Sequence, residues 1–206
     1  MAVAILYFRW QPKGENMKLL EDRILKDGRI LDGNVLKVDS FLNHCIDVPF
    51  ICELGKEFKR LYEGEKITKI MTVEASGIGI ACLVAQFFDV PVVFAKKSMS
   101  TNIAGDVYSA PVVSYTHNRT YEVIVSKRFV GPEDRVLIID DFLAIGSALK
   151  GLLTVCEQAG ATVVGCGIVI EKQYQGGGDM LRAQGIRIES LAKISKMENG
   201  QIEFCD

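Results

Sequence analysis

V-L-I-I-D-D-F-L-A-I-G-S, residues 136–147, places four apolar residues ahead of two adjacent carboxylates and a small-residue loop. Val136, Ile138 and Ile139 are β-branched, and with Leu137 they suit a central parallel strand covered on both faces. A strand ending at Ile139 would bring Asp140 and Asp141 out at its carboxyl end, where open α/β sheets bind ligands. Ala144, Ile145, Gly146, Ser147 and Ala148 then lead into a helix with Leu149, Leu152, Leu153 and Val155 at apolar spacing. The first backbone N–H groups of that helix have no intrahelical partner and lie at the positive end of its dipole, so the loop can hold a phosphate. Two carboxylates repel a bare anion but accept hydrogen bonds from a sugar diol, and a phosphorylated ribose satisfies both halves. An acidic pair can also simply end a strand and cap a helix. The loop length, right for one phosphate and followed at once by a helix, favours the ligand.

Outward from this stretch, strand and helix patterns alternate. Helical spacing begins near Met17 (Leu19, Leu20, Ile24, Leu25) and returns over Phe50, Ile51, Leu54, Phe58, Leu61 and Tyr62. Residues 35–41 can be extended; 67–73 and 90–94 read as strands around a helix at 78–88. Residues 108–115 and 121–125, separated by His117-Asn118-Arg119, read as a β-hairpin. After the 136–139 strand and its helix, closed by Ala159-Gly160, come a strand at 163–170, a short helix at 179–184 and a strand at 186–191. Repeated βα units imply one α/β domain over residues 17–206, with a mainly parallel central sheet and helices on both faces.

The bounds agree with an enzyme-sized single domain. The chain has 206 residues, 49% of them apolar, and a net charge of −2. With no basic stripe or tail, nothing calls for a nucleic-acid partner. The six cysteines show no C-x-x-C spacing, so a zinc site is not expected, and thiols scattered on apolar segments look like core cysteines kept reduced in a cytosol. Residues 1–10 are mostly apolar but too short to span a bilayer, which needs ~20 residues. They lack a basic leader and a clear cleavage site, so no membrane or secretory role is expected, and residues 1–16 are set aside as an extension.

Two further segments bear on chemistry. Glu74-Ala75-Ser76-Gly77 follows the 67–73 strand and opens a helix, so its N–H groups offer a second place for an anion, with Gly77 permitting a tight turn. Residues 95–106 carry Lys96-Lys97 and then Ser98, Ser100, Thr101, Asn102 and Gly105. Paired lysines are often just a solvated turn, yet a polar segment after a strand also suits a lid that excludes water and brings cations to a departing anion.

The run 136–147 resembles the signature of the type I phosphoribosyltransferases, where a hydrophobic strand, two acids and a small-residue loop bind phosphoribosyl pyrophosphate. With E-A-S-G, V-L-K-V-D-S-F-L-N-H (35–44) and V-I-E-K (169–172), the likeness to purine-salvage members of that family extends from Met17 onward. It implies the type I phosphoribosyltransferase fold, with a small base-binding hood and a flexible loop. It implies transfer of ribose 5-phosphate to a 6-oxopurine, xanthine first, with hypoxanthine, guanine and adenine as alternatives. Asp140 and Asp141 would take the ribose hydroxyls, and Ala144, Ile145, Gly146, Ser147 and Ala148 the phosphate. Glu74, Ala75 and Ser76, with a non-proline cis peptide, would take pyrophosphate together with Lys96 and Lys97. Leu36 and Asn43 would line the purine pocket, with Lys172 near an exocyclic oxygen. On residue chemistry alone, Asn43 also reads as a turn cap and Lys172 as a solvated strand end. Many relatives carry Thr where this chain has Ile145, which removes one hydroxyl donor to the phosphate. Mg2+ is expected to arrive with the pyrophosphate substrate and not in a protein cage. The resemblance further implies a cytoplasmic homodimer. A non-catalytic sensor of phosphoribosyl pyrophosphate is the alternative of another class, disfavoured by the lysines and by the absence of a DNA-binding module before Met17.

Overall fold

The computed structural model describes residues 15–31, 35–97, 105–114 and 119–205. Residues 1–14, the lid residues Ser98, Ser100, Thr101 and Asn102, and the hairpin turn at His117-Asn118 lie outside them. The chain runs α1 (Glu15–Asp27), β1 (Arg29–Leu31), β2 (Val35–Lys37), a π-helical turn (Asp39–Asn43), α2 (Val48–Leu61), β3 (Lys69–Val73), α3 (Ser76–Phe88) and β4 (Val92–Ala95). It continues through β5 (Val107–Ser114), β6 (Arg119–Ser126), β7 (Arg135–Leu143), α4 (Ser147–Gln158), β8 (Thr162–Lys172), a 3-10 turn (Gln173–Gln175), α5 (Gly177–Ala183), β9 (Ile188–Glu198) and β10 (Gln201–Phe204).

The central sheet has the order β10-β9-β8-β7-β3-β4, parallel except for the edge strand β10. From β3 the chain steps outward to β4, then returns to the other side of β3 as β7 and steps the opposite way to β8 and β9. Right-handed crossovers that progress in opposite directions must put their helices on opposite faces. They do: α3 packs with α1 and α2 around Leu137 and Ile139, while α4, α5 and the β5–β6 hairpin pack around Val136 and Ile138. The alternating residues of one strand thus serve two separate cores, which is why the run had to be apolar throughout. The reversal of strand order between β3 and β7 opens a crevice at their carboxyl ends, the location where such sheets bind ligands.

Four points differ from expectation. β7 does not stop at Ile139 but continues through Asp140 and Asp141 to Leu143, because β8 still pairs with it there. Pairing with β3 stops at Ile138, so the acids are mid-strand toward β8 and unpartnered in the ladder toward β3. The extended segment at 35–41 is extended only to Lys37. It then tightens into the π-helical turn, which buries Phe41 and Leu42 on one side. Strand β10, unrecognised in the sequence, forms a hairpin with β9 through left-handed Asn199 and Gly200. Helix α1 begins at Glu15, two residues ahead of the expected Met17. No helix among the described residues is long and apolar enough to cross a membrane.

Candidate active site

Asp140 and Asp141 form the floor of the crevice, 5% and 7% exposed. They are less open than residues emerging from a strand end would be, because the strand carries on past them. Asp140 Oδ1 accepts the N–H of Asp141 (3.0 Å), and Asp141 Oδ1 accepts the N–H of Phe142 (3.0 Å). Asp141 Oδ2 also accepts the Asn43 amide at 3.2 Å across 98 residues of sequence. The π-helical turn is what reaches this far. It ends at Asn43, and Phe41 anchors it against Phe50, with the Arg23 guanidinium 5.0 Å from the Phe41 ring and 5.2 Å from the Phe50 ring.

Burial pushes the Asp140 carboxyl well above the usual carboxylate range, and the neighbouring Asp141 carboxylate adds to the rise. A native carboxyl that holds its proton more tightly than the unfolded chain makes stability fall as pH rises from the ordinary Asp range through the raised native value. Asp140→Asn is therefore expected to flatten that slope and to stabilise the substrate-free protein near neutral pH by on the order of 1 kcal/mol. Thermal unfolding of parent and variant from pH 4 to 8 checks this; a parallel decline of the two curves would contradict it.

The second loop closes the other wall. The Glu74–Ala75 peptide is cis, as the resemblance implied, and α3 begins immediately at Ser76. Gly77 proves necessary for space rather than for turning. A Cβ there would sit 2.1 Å from Thr72 Oγ1 and 3.3 Å from Asp140 Oδ1. Thr72 Oγ1 is itself buried without a hydrogen-bond partner. Glu74 accepts the backbone N–H of Lys97 at 2.6 Å, and Lys96 exchanges both backbone hydrogen bonds with Ile124 of β6. Lys96 and Lys97 are thereby tied to both the second loop and the hairpin. Lys97 Nζ lies 5.4 Å from the Tyr121 ring, and its charge acts on Asp140. Tyr121, half-buried here, has its hydroxyl pKa raised by burial and then by Asp140.

The first loop is Ala144, Ile145 and Gly146, with Gly146 in the left-handed region (φ 83°) as the residue before α4. That conformation is open to glycine and strained for others, so the small residue is required here by the backbone. At the far end of the crevice Lys172 closes β8, 6.0 Å from the Phe142 ring, and burial lowers its ammonium pKa. Leu36, by contrast, lies in the β1–β2 hairpin, 6% exposed, in the same core cluster as Leu20 and Ile24. The structure thus gathers the two acids, Asn43, Glu74 and Lys97 by direct contact or charge, and sets Lys172 beside the strand that carries the acids. A separate cleft of about 340 Å³ between α1, β1 and β10, lined by Ile24, Ile30 and Ile202, holds none of these residues.

Residues 53–180 match the phosphoribosyl transferase domain family. The chain belongs to that family. Curated relatives of this phosphoribosyltransferase include the xanthine phosphoribosyltransferase of Lachnoclostridium phytofermentans, 62% identical over 91% of this chain and 98% of the relative. That of Ruminiclostridium cellulolyticum is 53% identical over 92% and 100%. In three dimensions the phosphoribosyltransferase is similar to APRTase from Giardia lamblia, with a TM-score of 0.75 at 23% identity, covering 86% of this chain and 98% of that one. It is also similar to adenine phosphoribosyltransferase from Leishmania donovani, with a TM-score of 0.71 at 18% identity over 93% and 88%. At these identities the two structures establish the type I phosphoribosyltransferase fold and leave the base open.

Sequence reasoning missed Thr72 and Tyr121, which reach Gly77 and Asp140 through packing alone and leave no local signal in the chain.

Proposed function

We propose that the chain transfers the ribose 5-phosphate group of phosphoribosyl pyrophosphate to xanthine, giving xanthosine monophosphate and pyrophosphate. The observation that carries this is the meeting, at one sheet crevice, of two buried acids with two loops that each open directly into a helix. Xanthine is favoured over other bases by the curated relatives at 53% to 62% identity, all xanthine phosphoribosyltransferases.

In this proposal the 5-phosphate sits on the N–H groups of Ile145, Gly146, Ser147 and Ala148 at the mouth of α4, with Ala144 at the turn. Asp140 and Asp141 accept from the ribose hydroxyls and lie under the ring as positive charge develops on it. Glu74, Ala75 and Ser76 line the place for pyrophosphate, and Lys96 and Lys97 meet its growing negative charge. Asn43 belongs to the hood over the purine, Leu36 backs that hood from the core, and Lys172 favours an oxo over an amino substituent. Because Asn43 already donates to Asp141, the base and ribose sides of the crevice are joined by one hydrogen bond. A site whose buried donors match a dioxo purine rejects a base that leaves them unpaired.

Magnesium is part of the same proposal. Among the described residues no group of three or more His, Cys, Asp or Glu could hold a metal ion. The ion arrives with the substrate, held chiefly by pyrophosphate and sugar oxygens and by water, where it would offset the charge of pyrophosphate. A homodimer, carried by the resemblance, is checked by the solution mass.

The deciding experiment measures pyrophosphate release with magnesium, phosphoribosyl pyrophosphate and, side by side, xanthine, hypoxanthine, guanine and adenine. Xanthine is expected to give the highest kcat/KM, by about 10-fold or more over each of the other three. A protein that bound phosphoribosyl pyrophosphate and released nothing with any base would be a sensor and would end the proposal.

A further inference from the structure

Behind the first loop lies an arrangement that the transfer reaction does not by itself require. Glu171, at the end of β8, is fully buried, in register with Leu143 of β7 and Lys193 of β9. Arg182 of α5 grips its carboxylate with two nitrogens, at 2.8 and 2.7 Å, and the Ser190 hydroxyl donates to it from β9. The grip pulls α5 down so tightly that a Cβ on Gly178 would lie 1.9 Å from Glu171 Oε1.

The other side of α5 meets the loop. The Gly177 N–H donates to the Ala144 carbonyl at 3.1 Å. A Cβ on Gly177 would stand 2.3 Å from that oxygen, 2.4 Å from the Ile145 carbonyl carbon and 2.7 Å from the Gly146 nitrogen. All three are backbone atoms and cannot swing aside as a side chain would. Leu181, one turn further on, lies under Gly146, its Cδ1 3.1 Å from where a Cβ would be.

The Ala144–Ile145 peptide is trans, so its C=O and N–H point to opposite sides. With the carbonyl bound to α5, the Ile145 N–H is turned away from α5. Resting on the reading that this loop takes the 5-phosphate, we propose that α5 braces the loop and that Gly177 is a positioning residue for phosphoribosyl pyrophosphate. Gly177 holds the Ala144 carbonyl and so aims the Ile145 N–H at the phosphate, and the Glu171–Arg182 pair holds the brace in place. The aim then comes from the backbone, which accounts for a loop that works with Ile at position 145 and no hydroxyl there.

The test compares Gly177→Ala with Gly176→Ala. Gly176 is left-handed (φ 75°) but a Cβ there would meet nothing within 4 Å. Both variants are strained, and only the first presses on the loop. Gly177→Ala is expected to raise KM for phosphoribosyl pyrophosphate about tenfold while kcat and KM for xanthine stay within about twofold. Gly176→Ala is expected to lower the thermal midpoint and leave that KM alone. An unchanged KM in Gly177→Ala, or an equal rise in Gly176→Ala, overturns the brace. Should Gly177→Ala not fold, Arg182→Lys, which keeps the charge but loses the two-nitrogen grip, must raise the same KM for the proposal to stand. Ser147→Glu, which puts a carboxylate at the mouth of α4, separates the two levels. If it too leaves KM unchanged, the phosphate reading fails with the brace. If it raises KM while Gly177→Ala does not, the brace alone fails.

Discussion

Replacing both acids, Asp140→Asn with Asp141→Asn, is expected to lower kcat/KM for xanthine by about three orders of magnitude or more while leaving a folded protein. The amides keep the volume and one acceptor oxygen each, so the N–H groups of Asp141 and Phe142 retain acceptors, and Asn43 keeps a partner by turning its own amide so that its oxygen accepts from the new NH2 at position 141. What disappears is negative charge beneath the ring. A transition state that develops a cation on the ribose loses its counter-charge in a site shielded from water, where such charge acts most strongly. Because Asp140 binds its proton more tightly than an ordinary carboxyl, kcat/KM of the parent should fall on the acid side at a pH above the normal Asp range. Steady-state kinetics across pH, with circular dichroism as the control for folding, read both effects. Parent-like turnover by the folded double variant would remove the assigned role.

Arg182→Met is expected to cost about 3–5 kcal/mol of stability. It strands a carboxylate that is 0% exposed, leaving the Ser190 hydroxyl as its donor among the described residues. In the parent, burial works to raise the Glu171 pKa, but Arg182 and Ser190 outweigh it and the carboxyl sits below its usual value. Such a group stabilises the fold above its unfolded pKa, and that contribution fades as pH falls through the lower native value. Urea unfolding should therefore show parent and Arg182→Met converging in strong acid and diverging above about pH 4–5. Adding Glu171→Gln to Arg182→Met should restore part of the loss near neutrality, because the stranded charge is gone. An additive further loss would mean that packing, and not charge, is what Arg182 provides.

Much of the architecture was legible because it is local. The strand at 69–73, helix α3, the β5–β6 hairpin and helix α4 all announce themselves through periodicity, and periodicity is set by which faces of an element must leave water. The two candidate loops were legible for a similar reason, since Asp-Asp before small residues and Glu-Ala-Ser-Gly before an apolar helix are short patterns with local consequences. The end of β7 was misjudged at Ile139 because charged residues normally leave a strand. Here the ladder to β8 continues under the acids and keeps them in it. Strand β10 was missed because Gln201 to Phe204 is too short and polar to stand out, and exists only as the partner of β9.

Sequence by itself determined the inventory: alternating strands and helices, an acidic pair, two helix mouths and paired lysines, each dictated by bonds and burial within a dozen residues. Tertiary structure alone decided how these meet. Strand order places the reversal between β3 and β7, Asn43 comes to Asp141 from 98 residues away, and α5, held by Glu171, comes to rest on the loop of Ala144, Ile145 and Gly146. The physical reason is that long-range partners are chosen by the fit of whole packed layers and by the need to neutralise buried charge. Neither leaves a periodic trace in the chain, whereas the hydrophobic face of each strand and helix does.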